Sequence, residues 1–469
     1  MINAKWKTQT RGLPFGIYHF TFGIMTYSEA IAFWHGRIDY ERRQPQPGDL
    51  KLDRMRALLR LLGDPHHRLR CVHVAGTKGK GSTSAILASV LQAAGYRTGL
   101  FTSPHLSDIS ERVQVNGVPI VPEEIAARMT EVARAVQQLE ADGDPSRSPT
   151  FFEIITALGF LHFDCRRVDL AVLEVGLGGR FDSTNVCQPL LSIITNISFD
   201  HMAILGGTLA EIAFQKAGII KLRVPVVSMV EDAEVVGVIS KIAGEYAAPL
   251  RLICRDFKWS RGIGQPFHPP PFRVSTDRKD WGELPLALHG EHQGANAAGV
   301  IAAIELLREV GMEIPDRAVQ EGLAKVVWPA RMELISRRPV VVLDCAHNVA
   351  SARALVQTLG SSFPIAGEKH LVFASSNDKQ IPEMLEILAP EFDHFHLTRY
   401  QSNPRSADPE NIKNLIKRLD KFSVLVYTSP GEAWASAWSQ VGPEDGIVVA
   451  GSVFLAGELR PTLLRDCGS

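Results

Sequence analysis

Three glycines and two lysines lie between an apolar run that begins at Cys71 and a predicted helix from Ser82 to Ala94. Glycines let successive backbone N–H groups point at one anion, and a helix N-terminus adds about half a positive charge. Lys80 could then reach the outer phosphates of a nucleotide, and Ser82 or Thr83 could face a magnesium ion. The segment is therefore predicted to bind phosphate through a loop made of Gly76, Thr77, Lys78, Gly79, Lys80, Gly81 and Ser82.

The spacing of this loop differs from the common P-loop, in which Ser or Thr directly follows the Gly-Lys pair. Val74 stands where the first Gly of that pattern would be, and Gly81 separates Lys80 from Ser82. The alternative is a glycine turn at a strand end that serves packing alone. The lysines have little use in such a turn, so phosphate binding is the favoured interpretation.

Four further polar groups are predicted near the ends of strands, where open parallel sheets bind ligands. The group Thr102–Leu106 follows one strand, Glu174 ends another, Asp200-His201 follows a third, and Lys216 lies in the helix beyond. A carboxylate at the end of a buried strand is costly unless it is paired or bound to metal. A Ser, a Glu and a His are enough for a magnesium site completed by water and phosphate. Each could instead be an ordinary hydrogen-bonded residue.

Bulk composition indicates an ordinary globular protein of two or three domains. The 469 residues are 45% hydrophobic and 22% charged, with a net charge of −1. This balance argues against a general nucleic-acid or membrane-surface binder. No apolar run is long enough to predict a transmembrane helix. The six cysteines form no CxxC pair, which indicates reduced thiols in a cytoplasmic protein.

Strands and helices alternate along most of the chain, which predicts parallel sheets covered on both faces. The segment from Cys254 to Leu288 loses this alternation and is interpreted as a small β excursion. The alternation restarts around Trp328-Pro329. The predicted fold class is α/β: a P-loop-type, mostly parallel sheet domain at residues 25–327, followed by a smaller Rossmann-like α/β domain at residues 328–469.

Residues 1–24 are expected to form a disordered N-terminal extension. Basic residues but no acidic ones precede Glu29, a composition weakly typical of a transit peptide. A loose tail before Met25 that arises from an upstream start codon is the favoured alternative.

Taken together, the motifs resemble bacterial folylpolyglutamate synthases, often bifunctional as dihydrofolate synthases, within the Mur ligase superfamily. The likeness runs from about Met25 to Arg460. The motifs that carry it are Gly76–Ser82, Ser103–Leu106, Glu174–Arg180 with Asp182 and Asn185, Asp200-His201, Lys216–Ile219, His292-Gln293 with Asn296-Ala297, Trp328–Arg331, Asp344–Asn348 and Asp378-Lys379.

The resemblance implies roles for individual residues. The ligands of two magnesium ions would be Ser103, Glu174, His201 and a carbamylated Lys216. ATP would contact the loop residues Gly76 to Ser82, together with Asn296, Arg331 and Asp344. The pterin-bearing substrate would lie against Asp49, Leu50, Thr150, Phe151, Phe152, Phe181, Asp182 and Ser183. The catalytic positions would be Lys80, Lys216, His201 and His347.

Four residues depart from the usual pattern of the family. Lys78 occupies a position where the family usually has Asn, and Lys51 one where Gly is usual. Gln215 occurs where Glu is usual, and Phe181 where the residue is usually aliphatic. The implied carbamylation would turn the Lys216 ammonium into an anion suited to a hard cation. That reaction requires a neutral amine, hence a lowered lysine pKa, which a nearby metal ion would supply.

The activity implied by the resemblance is ATP-dependent amide ligation. A substrate carboxylate would attack the γ-phosphoryl group, and the amine of L-glutamate would then displace phosphate from the acyl phosphate. The implied partners are small molecules, namely ATP, L-glutamate and a folate or dihydropteroate, bound by a monomer without nucleic acid or membrane. Which of these pterin substrates is accepted stays open.

Two alternative activities remain at this point. One is a Mur-type ligase that acts on another carboxylate, with a UDP-binding domain before the phosphate loop. The other is a P-loop switch or transport ATPase, for which the standard Gly-Lys-Ser/Thr spacing is expected. Such an ATPase would have no second domain bearing Arg331 and Asp344.

Overall fold

The computed structural model describes residues 23–40, 49–253, 255–418 and 423–468. Of the predicted N-terminal extension, residues 1–22 lie outside these ranges. The described chain forms two large sheets, with a small third sheet between them in sequence. None of the helices in these ranges is long and apolar enough to cross a membrane.

The first sheet has eight strands. They are β1 (Cys71–Ala75), β2 (Thr98–Phe101), β3 (Val113–Val115), β4 (Val118–Pro119), β5 (Leu170–Glu174), β6 (Leu191–Ile194), β7 (Val226–Ser228) and β8 (Leu250–Leu252). Their order is β4-β3-β2-β5-β1-β6-β7-β8, and the pairs β2–β3 and β3–β4 are antiparallel while the others are parallel. Every residue of β1 and β5 is buried, as expected for central strands covered on both faces.

In the part of the first domain that the structure describes, ten α-helices are present. They are α1 (Tyr27–His35), α2 (Asp53–Leu61), α3 (Lys80–Ala93), α4 (Pro122–Leu139), α5 (Phe151–Cys165), α6 (Met202–Leu205), α7 (Leu209–Lys216), α8 (Ala233–Glu245), α9 (Glu291–Glu309) and α10 (Asp316–Lys325). Alternate residues of β5 enter different cores: Val172 packs with α3, α9 and α10, whereas Leu173 packs with α1, α2, α4 and α5. The predicted mostly parallel, doubly covered sheet is confirmed.

The predicted β excursion is a three-stranded antiparallel sheet. Its strands are β9 (Phe257–Arg261), β10 (Phe272–Thr276) and β11 (Asp280–Leu284). A buried carboxylate fixes this sheet to α9, because Glu305 accepts hydrogen bonds from Arg251 at 2.7 Å and from Trp281 Nε1 at 2.9 Å.

The loop between β9 and β10 contacts the second domain. The N–H of Phe267 donates to the carbonyl oxygen of Ser362 at 2.9 Å, and its ring centroid lies 6.4 Å from that of Phe363. The guanidinium of Arg337 lies over the same ring. The two domains therefore meet at this loop as well as at the covalent crossing near Trp328.

The second domain is built on a six-stranded sheet. Its strands are β12 (Glu333–Arg337), β13 (Val340–Leu343), β14 (Lys369–Phe373), β15 (His394–Leu397), β16 (Ser423–Val426) and β17 (Gly446–Ala450). The order is β12-β13-β17-β14-β15-β16, and only the edge strand β12 pairs antiparallel. The covering helices are α11 (Val349–Ser362), α12 (Ile381–Leu388), α13 (Pro409–Ile416), α14 (Pro430–Gln440) and α15 (Val453–Cys467). A second α/β domain with a Rossmann-like sheet is thus confirmed.

Candidate active site

The predicted phosphate loop joins the end of β1 to the first turn of α3. Gly79 has φ +83°, and a Cβ there would lie 2.5 Å from Asn296 Oδ1, so glycine is required. Because Gly79 turns the chain directly into the helix, α3 begins at Lys80 rather than at the predicted Ser82. The unpaired N–H groups of this first turn are suited to bind an anion.

Two residues of the loop hold it in place. The N–H of Thr77 donates to the carbonyl oxygen of Asn196 at 2.6 Å. Lys78 Nζ donates to Asp200 Oδ2 at 2.9 Å and lies 3.4 Å from His347 Nε2. Burial lowers the pKa of Lys78. Lys78, predicted to contact ATP, thus links the loop to the second domain through its ammonium group.

The carboxylate of Glu174 lies at the end of β5 and is 4% exposed. Its Oε2 accepts a hydrogen bond from the N–H of Ser103 at 3.2 Å, and no described cation forms an ion pair with it. Burial raises the pKa of Glu174 to about 7, although the charge of Lys80 opposes the shift. A buried carboxylate without an ion-pair partner is a suitable metal ligand.

His201 lies on the same cleft as Ser103. Its backbone has φ +50°, a left-handed conformation at the start of α6. Partial desolvation in the cleft, together with the charges of Lys379 and Lys80, lowers the pKa of His201 to about 4 although 46% of the side chain is exposed. These effects outweigh the Asp200 carboxylate, whose Oδ1 is 3.8 Å from Nε2. A neutral imidazole retains a lone pair, and the oxygen and nitrogen atoms of Ser103, Glu174 and His201 are of the types that bind divalent cations.

Lys216 is the last residue of α7 and is 4% exposed. Its Nζ donates to the carbonyl oxygen of Gly76 at 2.9 Å, which places the amine behind the phosphate loop. The pKa of Lys216 falls to about 7, chiefly because the amine is buried and secondly because Lys80 is nearby. The lowered pKa expected for this lysine therefore has burial as its main cause, where the sequence argument invoked a metal ion.

Asp344 and Arg331 enter the site from the second domain. Both carboxylate oxygens of Asp344 accept backbone hydrogen bonds, from Met332 and from Ala346, each at 2.7 Å. Asp344 therefore shapes the loops that carry its neighbours. Arg331 lines the cleft between the domains, and its Nη1 donates to the carbonyl oxygen of Ala330 at 2.9 Å.

His347 lines the same cleft with a defined tautomer. Its Nδ1 lies 2.8 Å from the carbonyl oxygen of Cys345 and must donate to it, so Nε2 carries the lone pair. Burial and the nearby charges of Lys78 and Lys379 lower the pKa of His347 to about 3. The imidazole is therefore neutral and accepts hydrogen bonds from the cleft.

The cleft is a cavity of about 290 Å³ between the two domains. Six of the predicted pterin-contacting residues line it, namely Leu50, Thr150, Phe152, Phe181, Asp182 and Ser183. Asp182 is already held, because Oδ2 accepts from the N–H of Leu177 at 2.9 Å and Oδ1 from that of Thr184 at 3.0 Å. Asp182 therefore holds the backbone of the wall in place, whereas the rings of Phe152 and Phe181 form the surface that a ligand would contact.

Two predicted contacts lie outside the cavity. The ring of Phe151 is 3% exposed and stacks on Trp34 with centroids 5.0 Å apart. Since α5 begins at Phe151, consecutive side chains point about 100° apart, and Phe152 faces the cavity instead. Asp49 is not in the cavity wall, and its carbonyl oxygen accepts from Arg54 at 2.9 Å.

The structure adds residues that the sequence argument missed. Arg54 lines the cavity and pairs with Glu153 at 3.2 Å. The opposite wall, from the second domain, contains Lys379, Arg405 and residues of small or polar type: Cys345, Ser376, Asp378 and Ser452. Asp378-Lys379 was visible as a motif. Arg405, by contrast, follows a proline in a loop and gives no sequence signal of its own.

Matches to two family models cover most of these elements. The Mur ligase middle domain matches residues 74–304, and the Mur ligase glutamate ligase domain matches residues 330–453. A phosphate loop on a mostly parallel sheet, with a second α/β domain closing the cleft, is the arrangement of a Mur-type ligase. The chain is a member of this superfamily.

Similar proteins identify the family within the Mur ligase superfamily to which the chain belongs. The dihydrofolate synthase/folylpolyglutamate synthase of Bacillus subtilis is 37% identical over 93% of this chain and 99% of the relative. The folylpolyglutamate synthase of Mycobacterium tuberculosis complexed with ADP has a TM-score of 0.83 and 31% identity, over 93% of this chain and 98% of that one. The Escherichia coli FolC complex with DHPP and ADP has a TM-score of 0.79 and 29% identity, with the same coverage. The chain belongs to the family of folylpolyglutamate and dihydrofolate synthases.

Proposed function

We propose that this chain is an ATP-dependent ligase that joins L-glutamate to a folate and to dihydropteroate. The observation that carries the proposal is the cavity between the domains, which lies beside the phosphate loop and has two unlike walls. The family membership and the ADP complexes of similar structures support the same activity.

The two walls suit two different substrates. Phe152 and Phe181 on the first-domain wall offer aromatic surface to a flat pterin ring. Lys379 and Arg405 on the second-domain wall offer cations to the carboxylates of glutamate. The two substrates would therefore meet near the middle of the cleft, where Arg331 and His347 lie.

The chain's own residues provide three functions in the reaction. Lys80, Arg331 and the N–H groups at the start of α3 neutralise charge as the substrate carboxylate attacks the γ-phosphoryl group. The second domain covers the cleft and excludes water, which protects the acyl phosphate from hydrolysis. The unprotonated Nε2 of His347, which lies 3.4 Å from Lys78 Nζ, would accept a hydrogen bond from the glutamate amine in place of that ammonium and orient the amine towards the acyl carbon.

We also propose that Ser103, Glu174 and His201 bind magnesium, with two ions in the complete site. When bound, magnesium would neutralise the phosphate oxygens of ATP. The proposal is supported by the buried carboxylate of Glu174 and the neutral imidazole of His201.

We propose in addition that Lys216 is carbamylated. A pKa of about 7 leaves roughly half of the amines neutral at pH 7, so carbon dioxide can react with them. With ¹³C-labelled bicarbonate, we expect a carbamate signal in the NMR spectrum of the parent protein that Lys216→Arg lacks. We expect Lys216→Ala to be nearly inactive and to regain some activity with a small added carboxylate. Full activity in Lys216→Arg would contradict the idea.

We further propose that one copy of the chain in the cytoplasm carries out the reaction. All five described cysteines are free thiols, and both walls of the cavity come from the same chain. Light scattering of the purified protein should report a monomer at the concentration used for assays.

The decisive experiment measures ADP release by the purified protein with L-glutamate and either dihydropteroate or tetrahydrofolate. We expect release that depends on both glutamate and a pterin substrate, with one glutamate added per ADP. ADP release in the absence of any acceptor would favour a switch or transport ATPase. Release with neither pterin but with another carboxylate would favour a different Mur-type ligase.

A further inference from the structure

We propose a separate site for a divalent transition-metal ion of the zinc class, formed by Glu368, His370 and His394. One ligand atom from each residue lies within 4.8 Å of the other two. The site is at the amino-terminal edge of the second sheet, because His394 begins β15 and His370 is the second residue of β14. The cavity between the domains is at the opposite edge of the same sheet.

The sheet itself brings the three side chains together. His370 pairs in register with His394 on the neighbouring parallel strand, while Glu368 comes two residues before His370 and His396 two residues after His394. Side chains two apart share a face, and adjacent strands are about 4.8 Å apart. His370 and His394 are therefore side by side on the face that α14 covers, with Glu368 beyond them towards the start of β14 and His396 beyond them in the opposite direction.

A chain of hydrogen bonds leaves His370 with a free lone pair. Tyr427 Oη donates to Ser436 Oγ at 2.5 Å, so its oxygen can accept from His396 Nδ1 at 3.3 Å. His396 Nε2 can then accept from His370 Nδ1 at 3.1 Å. His370 is 1% exposed, and its Nε2 has no hydrogen-bond partner among the described residues. A buried imidazole whose second nitrogen is fixed by a hydrogen bond is typical of a metal ligand.

The other two ligands are accessible. His394 Nε2 donates to Glu368 Oε2 at 2.9 Å, and an ion bound between them would replace that shared proton. The rings of His370 and His394 are stacked with centroids 4.3 Å apart, so one ring must turn to share an ion. His394 can turn, because its side chain is 23% exposed, and Glu368 is 65% exposed.

The surroundings and the donor atoms select the class of ion. Two further carboxylates border the site, because Asp445 accepts from the N–H of Glu368 and Asp393 from the N–H of Lys369, each at 2.8 Å, and their charges favour a cation. A set of two imidazoles and one carboxylate binds zinc, cobalt and nickel in preference to magnesium and calcium. A bound ion would connect β14 to β15 at an edge remote from the catalytic cleft.

The test uses the full-length protein with Zn²⁺, in competition with a chromophoric chelator, and with Co²⁺ as a spectroscopic probe. With Mg²⁺ in excess to occupy the candidate magnesium site, we expect one Co²⁺ with visible absorption and a rise in Tm with Zn²⁺. His394→Gln and Glu368→Gln should weaken binding by at least about tenfold, remove the rise in Tm and leave ligase activity unchanged. Both residues are partly exposed, so these variants should fold.

Two control variants locate the ion. His67→Gln changes a second group, Asp64, His66 and His67, whose ligand atoms are also within 4.8 Å of one another. His201→Gln changes the candidate magnesium site. Both variants should retain the metal affinity of the parent. Unchanged affinity in His394→Gln and Glu368→Gln, or a loss in either control, would overturn the proposal.

Discussion

The carboxyl-terminal edges of the two large sheets differ in how their charges are neutralised. At the first edge, Glu174 and Lys216 are each 4% exposed, and neither has an ion-pair partner among the described residues. At the second edge, Asp344 accepts two backbone hydrogen bonds. Arg405 lies 3.6 Å from Asp378. The first edge thus holds two buried charges that a ligand must complete, beside the compensated pair of Lys78 and Asp200, whereas Asp344 and Arg405 at the second edge are already compensated.

This difference indicates a division of labour between the domains. Unmet buried charge is costly, and it is retained where a ligand or ion restores the balance. Compensated charge at an accessible cleft can exchange its partner for a substrate carboxylate at little cost. We therefore expect substitutions at the first edge to abolish chemistry, and substitutions at the second edge to change substrate affinity or closure.

The largest effect is expected from Lys80→Ala. Turnover should fall about a thousandfold or more, because no other loop lysine faces the phosphates once Lys78 is paired with Asp200. Steady-state ADP release measures the loss, and circular dichroism checks the fold. Lys325→Ala, on an exposed helix surface, is the matched control. A Lys80→Ala protein that is unfolded would show that the loop is structural.

Arg331→Ala should lower turnover about a hundredfold while pterin affinity changes little. The residue lies at the domain junction and reaches the cleft from the second domain, and under the proposed function it would contact ATP when the cleft is closed. Turnover and equilibrium binding of the pterin substrate should be measured side by side, with the exposed Arg317→Ala as control. Equal losses in both quantities would place Arg331 in the pterin pocket.

Arg405→Ala should raise the KM for glutamate by about ten- to a hundredfold and leave the KM for ATP near its parent value. The Arg405 guanidinium lines the second-domain wall and can bind a carboxylate with two parallel hydrogen bonds. Arg399→Ala, an exposed neighbour in sequence, is the control. If the KM for ATP rises instead, the two edges do not divide the substrates as proposed.

The smallest effect concerns stability. The folded pKa of Glu174, about 7, exceeds its ordinary value of 4.5, so the unfolded chain loses this proton first. Its contribution to stability is therefore complete below about pH 4.5 and lost as pH rises through 7. Without divalent ions, the parent should lose about 2 kcal/mol relative to Glu174→Gln between pH 5 and pH 8. Added magnesium should restore the stability of the parent protein at pH 8 and leave that of Glu174→Gln unchanged. If the stability of both proteins changes with pH in the same way, Glu174 does not carry an uncompensated charge.

The sequence predicts the regular parts of the fold well because periodicity reports burial directly. The predicted helix after the phosphate loop ends within one residue of the end of α3, and the predicted β excursion from Cys254 to Leu288 contains β9, β10 and β11. The edge strand Glu333–Arg337 was missed, because a half-buried strand beside the Arg338-Pro339 turn has no apolar run. The early start of α3 depends on the positive φ of Gly79, which composition alone does not reveal.

Site residues at the ends of strands could be predicted from the sequence. Those whose position depends on tertiary packing could not. Glu174 and His201 follow apolar runs and were found, whereas Arg405 resembles any loop arginine. Phe151 and Phe152 are identical in type, and only the position of the helix axis decides which one faces the cavity. The pairing of Lys78 with Asp200 joins residues 122 positions apart and has no local signal.

The contact of Phe267 with Ser362 has a mechanical consequence. A body attached to another at one point can swing in any direction, but a body attached at two points keeps only rotation about the line that joins them. The second domain is attached at the covalent crossing near Trp328 and at the Phe267 loop. It is also attached where Ser107 Oγ donates to the carbonyl oxygen of Gly457 at 3.0 Å and where Gln357 Nε2 donates to Glu291 Oε2 at 2.8 Å. With more than two points of attachment the domain has no free rotation, so we expect any opening of the cleft to require that some of these contacts break first.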